Sequence, residues 1–260
     1  MDRHSRLNAL LEIVAKEGKV DVAEAVEQLG VSAASIRRDL VYLDEQHLVT
    51  RVHGGAVSNS PGYDLPLRYK SQRQTDEKQR IGVAAAALAD KGSIVAINGG
   101  TTALEVGRAL AARDDLSDGD EPGLTVVTNA LNLATELLAR PFLRVVVTGG
   151  VVRSHSYELF GPLASRSLQA LSFHTAYLGV DGFDLEFGAS AYSDVEANVN
   201  AALATTAERV VVVADSTKIG VKAFAQICPP SRVNVLVTDA GISDEAKAAL
   251  EKAGTEVIVA

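Results

Sequence analysis

A chain of 260 residues and 27.3 kDa has room for two domains or one large one. Its composition, 47% hydrophobic and 22% charged, is that of a globular protein and excludes a disordered one. The mean hydropathy of +0.12 is high, but no stretch reaches the roughly 18 unbroken apolar residues of a membrane helix, and no membrane partner is expected. The opening Met1-Asp2-Arg3-His4-Ser5-Arg6 runs into Leu7, Leu10 and Leu11 at helical spacing, without the apolar core or cleavage site of a signal peptide. Cys228 is the only cysteine and precedes Pro229-Pro230, so neither an internal disulfide nor a redox motif is expected, and a reducing, cytoplasmic setting is. His4, His47, His53, His155 and His174 show no ligand spacing, so neither a metal nor a cofactor is expected. The net charge is −8, and residues 1–57 hold seven Lys+Arg against nine Asp+Glu, a net of −2. A bulk basic footprint for nucleic acid is therefore absent. Any DNA contact must come from a few well-placed arginines, doubled by dimerisation.

Residues 1–57 read as short helices followed by a hairpin. From Arg3 to Lys16, Leu7, Leu10, Leu11 and Val14 share one face, and Gly18 ends the helix. A second helix spans Val22–Leu29, capped by Asp21 and closed by Gly30. Ser32 caps a third, with Val31 and Ile36 as a hydrophobic staple. Ile36, Leu40 and Leu43 point inward, while Arg38 lies roughly 200° around from Ile36. Ser35 and Arg37 flank it. That surface suits a major groove, where Arg reads guanine and Ser bonds bases or phosphates. Leu48–Val57 reads as a wing, with Arg51, His53 and the tandem Gly54-Gly55 offered to the phosphate backbone. Two arginines alone fit a solvated packing module better; the whole order of elements favours a DNA reader.

Residues 58–75, opening Ser58-Asn59-Ser60-Pro61-Gly62, are expected to be a linker. From residue 76 to 260 apolar β-branched runs alternate with alanine-rich helical stretches. The runs are 93–97, 124–128, 144–148, 176–180, 210–214 and 233–237, with 256–259 as an edge strand. Runs without alternation fit strands buried on both faces, and helices between them imply βαβ crossovers in a mostly parallel sheet. The helix at Asp76–Leu88 fits either core or interface.

In such sheets ligands bind beyond the carboxyl ends of the strands. Asn98-Gly99-Gly100-Thr101-Thr102 follows the first strand and opens a helix, whose free N–H groups make a phosphate or carboxylate cradle. It is neither a Walker motif nor a dinucleotide fingerprint. Taken alone, it fits an ordinary tight turn as well. Thr128-Asn129, Gly149-Gly150 with Arg153, Asp181-Gly182, and Asp215-Ser216-Thr217-Lys218 follow the next strands. Arg153 and Lys218 suit a phosphate; Asn129 and Asp181 suit sugar hydroxyls.

Arg6, Leu10, Val14, Ser32 and Ser35-Ile36-Arg37-Arg38-Asp39-Leu40 resemble the helix-turn-helix signature of DeoR-family bacterial transcription regulators, and His53-Gly54-Gly55-Ala56 resembles their wing. Ser35 stands where that family usually has Thr, which keeps the hydroxyl and loses a methyl. The strings Gly99-Gly100-Thr101-Thr102, Val126-Val127-Thr128-Asn129, Thr148-Gly149-Gly150, Gly179-Val180-Asp181-Gly182 and Asp215-Ser216-Thr217-Lys218 resemble the family's sensor domain. The resemblance implies an α/β architecture: an amino-terminal winged helix-turn-helix domain plus a larger, mostly parallel sensor domain like the ribose-5-phosphate isomerase and CoA-transferase group. It also implies a phosphorylated sugar as effector, and it places Glu196 near the pocket. Two departures are Gly188-Ala189-Ser190, for the more usual Gly-Leu-Thr, and the polar insertion 114–123.

The expected function is a repressor of a carbohydrate-catabolism operon, acting as a homodimer or homotetramer and released from operator DNA by the effector. The alternative is a sugar-phosphate isomerase or deaminase with an accessory domain, using Asp181 or Glu196 as base. Against it, Phe183-Asp184-Leu185-Glu186 is a looser acidic cluster than isomerases carry. A serine hydrolase is excluded, because Gly188-Ala189-Ser190-Ala191-Tyr192 lacks the second glycine of a nucleophile elbow.

Overall fold

A computed structural model of the chain describes residues 1–46, 48–58, 74–117, 122–154 and 156–260. Most of the expected linker, 59–73, and part of the polar insertion, 118–121, lie outside the described residues, as do His47 and His155. The chain divides into two compact units, Met1–Tyr69 and Lys70–Ala260.

In the first unit, α1 (Arg3–Glu17), α2 (Val22–Leu29) and α3 (Ala33–Glu45) enclose a core of Leu7, Leu10, Leu11, Val14, Ile36, Leu40 and Leu43, all buried. The expected caps form. Asp21 accepts from Ala23 N–H at 2.7 Å, Gly30 closes α2 in the left-handed region, and Ser32 Oγ accepts from Ser35 N–H at 3.3 Å. The wing is a three-stranded sheet in the order β1-β3-β2, with β1 at Lys19–Asp21, β2 at Thr50–Val52 and β3 at Gly55–Val57. β1 was not expected: three residues with one apolar side chain carry no readable period. Its pairing also explains Gly55, which is buried. A Cβ there would stand 1.9 Å from the Val20 carbonyl oxygen, so its glycine requirement comes from strand contact and not from a phosphate.

The second unit is built on a seven-stranded, wholly parallel sheet. Its strands are β4 (Ile94–Ile97), β5 (Leu124–Thr128), β6 (Leu143–Val147), β9 (Phe173–Gly179), β12 (Ala207–Val213), β14 (Val235–Thr238) and β15 (Glu256–Val259). They lie in the order β15-β14-β12-β9-β4-β5-β6. Every one coincides with an expected run to within three residues at each end. Val210 to Val213 are wholly buried, as a strand covered on both faces requires.

One face is covered by α4 (Thr75–Ala86), α5 (Thr101–Ala111) and α6 (Leu131–Leu137), through Ile81, Ala85, Val106, Leu110, Leu133 and Leu137. The helix beginning near Asp76 is thus a core helix, although Val83 stays exposed. The other face is covered by α7 (Pro162–Gln169), α8 (Asp194–Thr206) and α9 (Asp244–Lys252). Two small antiparallel sheets were not expected. One pairs β7 (Val151–Arg153) with β8 (Glu158–Phe160); the other orders β10 (Gly182–Asp184), β11 (Gly188–Ala191) and β13 (Ala225–Cys228). Ser190 of the discarded elbow is fully buried in β11, and its Oγ accepts from Ala223 N–H.

Gly82 sets the approach of α4 to α5. A Cβ at Gly82 would lie 2.6 Å from the Glu105 carbonyl carbon, a backbone atom that cannot rotate away. Gly82→Ala should therefore cost about 1–3 kcal/mol of stability by overpacking, read as a lower melting temperature of the full chain in calorimetry. No loss would show that the helix pair yields.

Candidate functional site

On α3, Arg37 and Arg38 are exposed and Ser35 is partly exposed, while Ile36 and Leu40 hold the opposite side in the core. Ser32 Oγ and Ser35 Oγ lie 3.0 Å apart, and Arg38 Nη2 donates to Ser35 Oγ at 3.5 Å. The two serines and Arg38 thus form one polar row. At the wing, Arg51 donates its backbone N–H to Asp44 at 3.1 Å, and Arg51, His53 and Gly54 are exposed. Gly54 turns the hairpin with φ of +86°.

The row is anchored from behind by Asp39, only 2% exposed. It accepts from Arg6 Nε at 2.5 Å and lies 3.5 Å from Arg3 Nε, whose guanidinium also stacks 4.7 Å over the Tyr42 ring. This ties α1 to α3. Breaking a buried pair leaves a charge uncompensated. Arg6→Ala should therefore destabilise the amino-terminal unit by about 3 kcal/mol and weaken DNA binding although Arg6 lies on α1, away from the Arg37–Arg38 surface. Unchanged unfolding and unchanged binding would refute the anchor.

In the second unit the chain leaves β4 for β5 and β6, then returns to β9 on the other side of β4 and continues outward through β12 and β14. The winding direction reverses between β4 and β9, which is where open sheets bind ligands. Asn98 clamps that point. Its Nδ2 donates to Gly179 O at 2.9 Å and its Oδ1 accepts from Gly179 N–H at 2.8 Å. Gly100 then caps α5 with φ of +113° and no side-chain cap, so the helix opens bare N–H groups beside Thr101 and the mostly buried Thr102.

Glu158 lies at the centre of this edge, and sequence reasoning missed it. Its Oε1 accepts from Gly99 N–H at 3.0 Å and from Asn129 Nδ2 at 3.2 Å. A Cβ on Gly99 would stand 2.4 Å from the Glu158 side chain, so the first glycine of the cradle exists to admit this carboxyl. Tyr157, just before it, has φ of +60°, a costly region for an aromatic residue. Burial, first, and the neighbouring Glu196 carboxylate, second, push the Glu158 carboxyl up to about 8. Glu196, nearly buried on α8, is paired in turn with Arg153 Nη1 of β7.

The other expected residues divide. Gly99, Asn129, Arg153 and Glu196 come together around Glu158. Asp181 accepts from Tyr192 N–H at 3.1 Å. Lys218 sits in a 3-10 turn, Ser216–Lys218, capped by Asp215; that turn runs on into Gly220, which donates to Phe183 O at 2.8 Å. Asp181 and Lys218 thus flank β10. Thr128 is fully buried, and its Oγ1 accepts from Ala130 N–H at 3.0 Å, so it closes a turn and offers no exposed surface to a ligand. Gly150 has φ of +137°, and a Cβ there would meet Phe160 O at 2.6 Å; it serves the β7–β8 hairpin. Gly149 is exposed beside Leu163. A cleft of about 240 Å³ lies at the other end of the strands, between Leu88–Ser93 and His174–Thr175. It touches none of these residues, and the His174 Nδ1 in it already accepts from Ile94 N–H. Among the described residues no group of three His, Cys, Asp or Glu side chains is placed to hold a metal, and no helix is long and apolar enough to cross a membrane.

Residues 6–62 match the DeoR-like helix-turn-helix domain, and residues 73–240 match the DeoR C terminal sensor domain. The chain belongs to the DeoR family. It is a DNA-binding transcriptional regulator with a carboxy-terminal sensor domain. It is 31% identical over 240 residues to the glycerol-3-phosphate regulon repressor of Escherichia coli K12, covering 92% of each chain. It is 33% identical over 261 residues to the transcriptional repressor CsqR of the same organism, covering 98% of this chain and 94% of that one. The ribose 5-phosphate isomerase A of Methanocaldococcus jannaschii aligns with 56% of this chain and 55% of that one, at 15% identity and a TM-score of 0.41. The relatives matched are named regulators.

In this DeoR-family sensor, a signal for Glu158 did exist. It is the single charged residue in the strand run Glu158-Leu159-Phe160 ahead of Gly161-Pro162. Only the tertiary placement of β8 across the ends of β4 and β5 makes that residue central.

The folded protein holds a proton on Glu158 that the unfolded chain releases above its ordinary value of 4.5. Folding stability from this group is therefore lost as pH rises from about 4.5 toward about 8. Glu158→Gln keeps the acceptor for Gly99 and removes the titration. Its melting temperature should match the native chain near pH 5 and exceed it increasingly toward pH 8. A difference that does not change with pH would refute the buried, proton-holding carboxyl.

Proposed function

We propose that this regulator is a repressor of a carbohydrate operon, released from its operator when a phosphorylated sugar binds at the carboxyl edge of the sensor sheet. The observation that carries this reading is the bare α5 amino terminus at the switch point, within a chain that also bears the Arg37–Arg38 face. The phosphate lies on the N–H groups of Gly100, Thr101 and Thr102 and on the two threonine hydroxyls, with Lys218 as its cation, while Gly99, whose N–H is given to Glu158, shapes the turn. Asn129, Arg153, Asp181 and Glu196 surround the sugar. Residues 1–57 read DNA through Ser32, Ser35, Arg37 and Arg38, with Arg51, His53 and Gly54 on the backbone; residues 58–75 link them to the effector-binding domain, 76–260. Two copies or four are needed, because the first unit is net −2 and one arginine pair covers a single half-site. The pocket is read as a sensor and not as a catalytic centre. The carboxyl best placed to act as a base, Glu158, is occupied by Gly99 and Asn129.

Release is linkage between two states. To convert an operator from nearly full to nearly empty, the effector must favour the unbound state by about 5 kcal/mol.

Arg37→Ala and Arg38→Ala should each cost about 1–3 kcal/mol of operator affinity while leaving sugar-phosphate binding intact. Fluorescence anisotropy on DNA from upstream of the protein's own coding region, against a scrambled duplex at two salt concentrations, checks this. Equal, salt-labile binding to both duplexes would mean phosphate contact alone. Lys218→Ala should weaken phosphorylated sugars about tenfold more than their unphosphorylated forms. Equal loss for both would remove Lys218 from the phosphate site, and turnover of a sugar phosphate by the purified protein would replace the sensor reading with an enzymatic one.

A further inference from the structure

Among the described residues, two strands of the second unit are paired on one side only and meet at the turn 148–150. β6 is the last strand of the seven-stranded sheet, bonded to β5 alone, and β7 is bonded to β8 alone. Such edges leave a row of backbone N–H and C=O groups that another strand can pair, and natural sheets cover or charge them. The join between these two is neither covered nor charged. Val147 of β6, Val151 and Val152 of β7 and Leu163 of α7 are between 42% and 64% exposed. They are neighbours: Val147 and Val151 flank the Gly149-Gly150 turn, and a Cβ on Gly149 would stand 3.6 Å from Leu163. Between Arg144 and Arg166 the charged residues are Arg153, which is paired with Glu196, and Glu158, which is buried. The opposite edge of the large sheet, β15, exposes one valine, Val259, on a strand whose Glu256 is ion-paired with Arg209.

We propose that this apolar edge is the face by which the second unit pairs with a second copy of the chain, β6 lying antiparallel to its counterpart across a two-fold axis. The inference rests on the reading above that two or four copies act together, and it names the surface they use. A two-fold contact sets each surface against itself, so a charged patch repels its own copy and an uncharged one does not. A two-fold centred on Val145, Val146 or Val147 places Arg144 opposite Val146, Thr148 or Gly150, so the exposed charge of the strand does not face itself. Pairing satisfies the open backbone groups of both edges and withdraws Val147, Val151, Val152 and Leu163 from water. β7 and β8 also carry Arg153 and Glu158. The pairing face and the effector edge therefore share one hairpin, which gives a bound effector a route to the contact between two chains.

The test is sedimentation equilibrium of the full chain and of two double variants, Val151→Glu with Leu163→Glu and Val151→Lys with Leu163→Lys. Both positions are exposed, so the far-ultraviolet circular dichroism of each variant should match the native chain. The native chain should be a dimer or a tetramer. Each variant alone should dissociate at this face with a dissociation constant about a hundredfold higher, because like charges are set against each other. An equimolar mixture of the two variants should recover the native mass, since opposite charges then meet. Hydrogen exchange of the native chain gives a second reading that needs no substitution: residues 144–152 should exchange faster once dilution dissociates the oligomer. Native mass in both variants, or exchange at 144–152 that does not follow dissociation, overturns the surface and leaves the oligomer reading in place. Variants that dissociate and do not recover when mixed overturn the pairing of the face with itself. A native chain that stays monomeric at every concentration overturns the oligomer reading and this inference with it.

Discussion

Asn98 replaces a strand neighbour where none can exist. At the switch point β4 and β9 run side by side, yet the chain beyond β4 must turn away into α5. The Asn98 amide pairs both backbone groups of Gly179 and carries the ladder one step past the end of the strand. The turn at Gly99 and Gly100 is thereby fixed, and with it the start of α5 and the position of the Glu158 contact. Nothing else on that edge could be placed to within hydrogen-bond length if the two central strands were free to splay.

The polar interior follows from that rigidity. Gly99 leaves room for the Glu158 carboxyl against the backbone, and the hairpin of β7 and β8 delivers it there through a strained Tyr157. A carboxyl taken wholly out of water beside a second carboxyl is expensive when ionised. The fold tolerates it because Gly99 and Asn129 donate to it and Arg153 holds Glu196. Such an arrangement contributes little to stability.

The DNA-reading unit solves a different problem with the same means. A net charge of −8 works against association with DNA at long range. The unit compensates locally. Asp39 is withdrawn beneath α3 and paired with Arg6 and Arg3, while Arg38 and Arg37 are left on the surface one and two residues away. The acidic residue that would oppose the phosphates is used instead to anchor α3 to α1.

Much of this was legible in the linear sequence. The seven parallel strands, the capped helices and the order of glycine, threonine and lysine turns follow from local chemistry: a strand buried on both faces must be apolar throughout, and a turn into a helix needs a cap or a glycine. What was not legible arises from contacts between distant segments. β1 and the small sheets are three or four residues long, too short for a period, and exist because a partner strand arrives beside them. Gly55 and Gly150 looked like ligand turns and are instead required by Val20 and Phe160, which no spacing reveals. Thr128 faced the expected site in sequence and closes a turn in space. Glu158 had no motif around it, yet it lies 59 residues after Gly99 and accepts its N–H. The sequence alone determined the long elements, the seven parallel strands and the capped helices, because those depend on neighbours along the chain. Only the tertiary structure decided which of those ends meet around Glu158 and whether that carboxyl keeps its proton, because burial and hydrogen-bond partners are properties of neighbours in space.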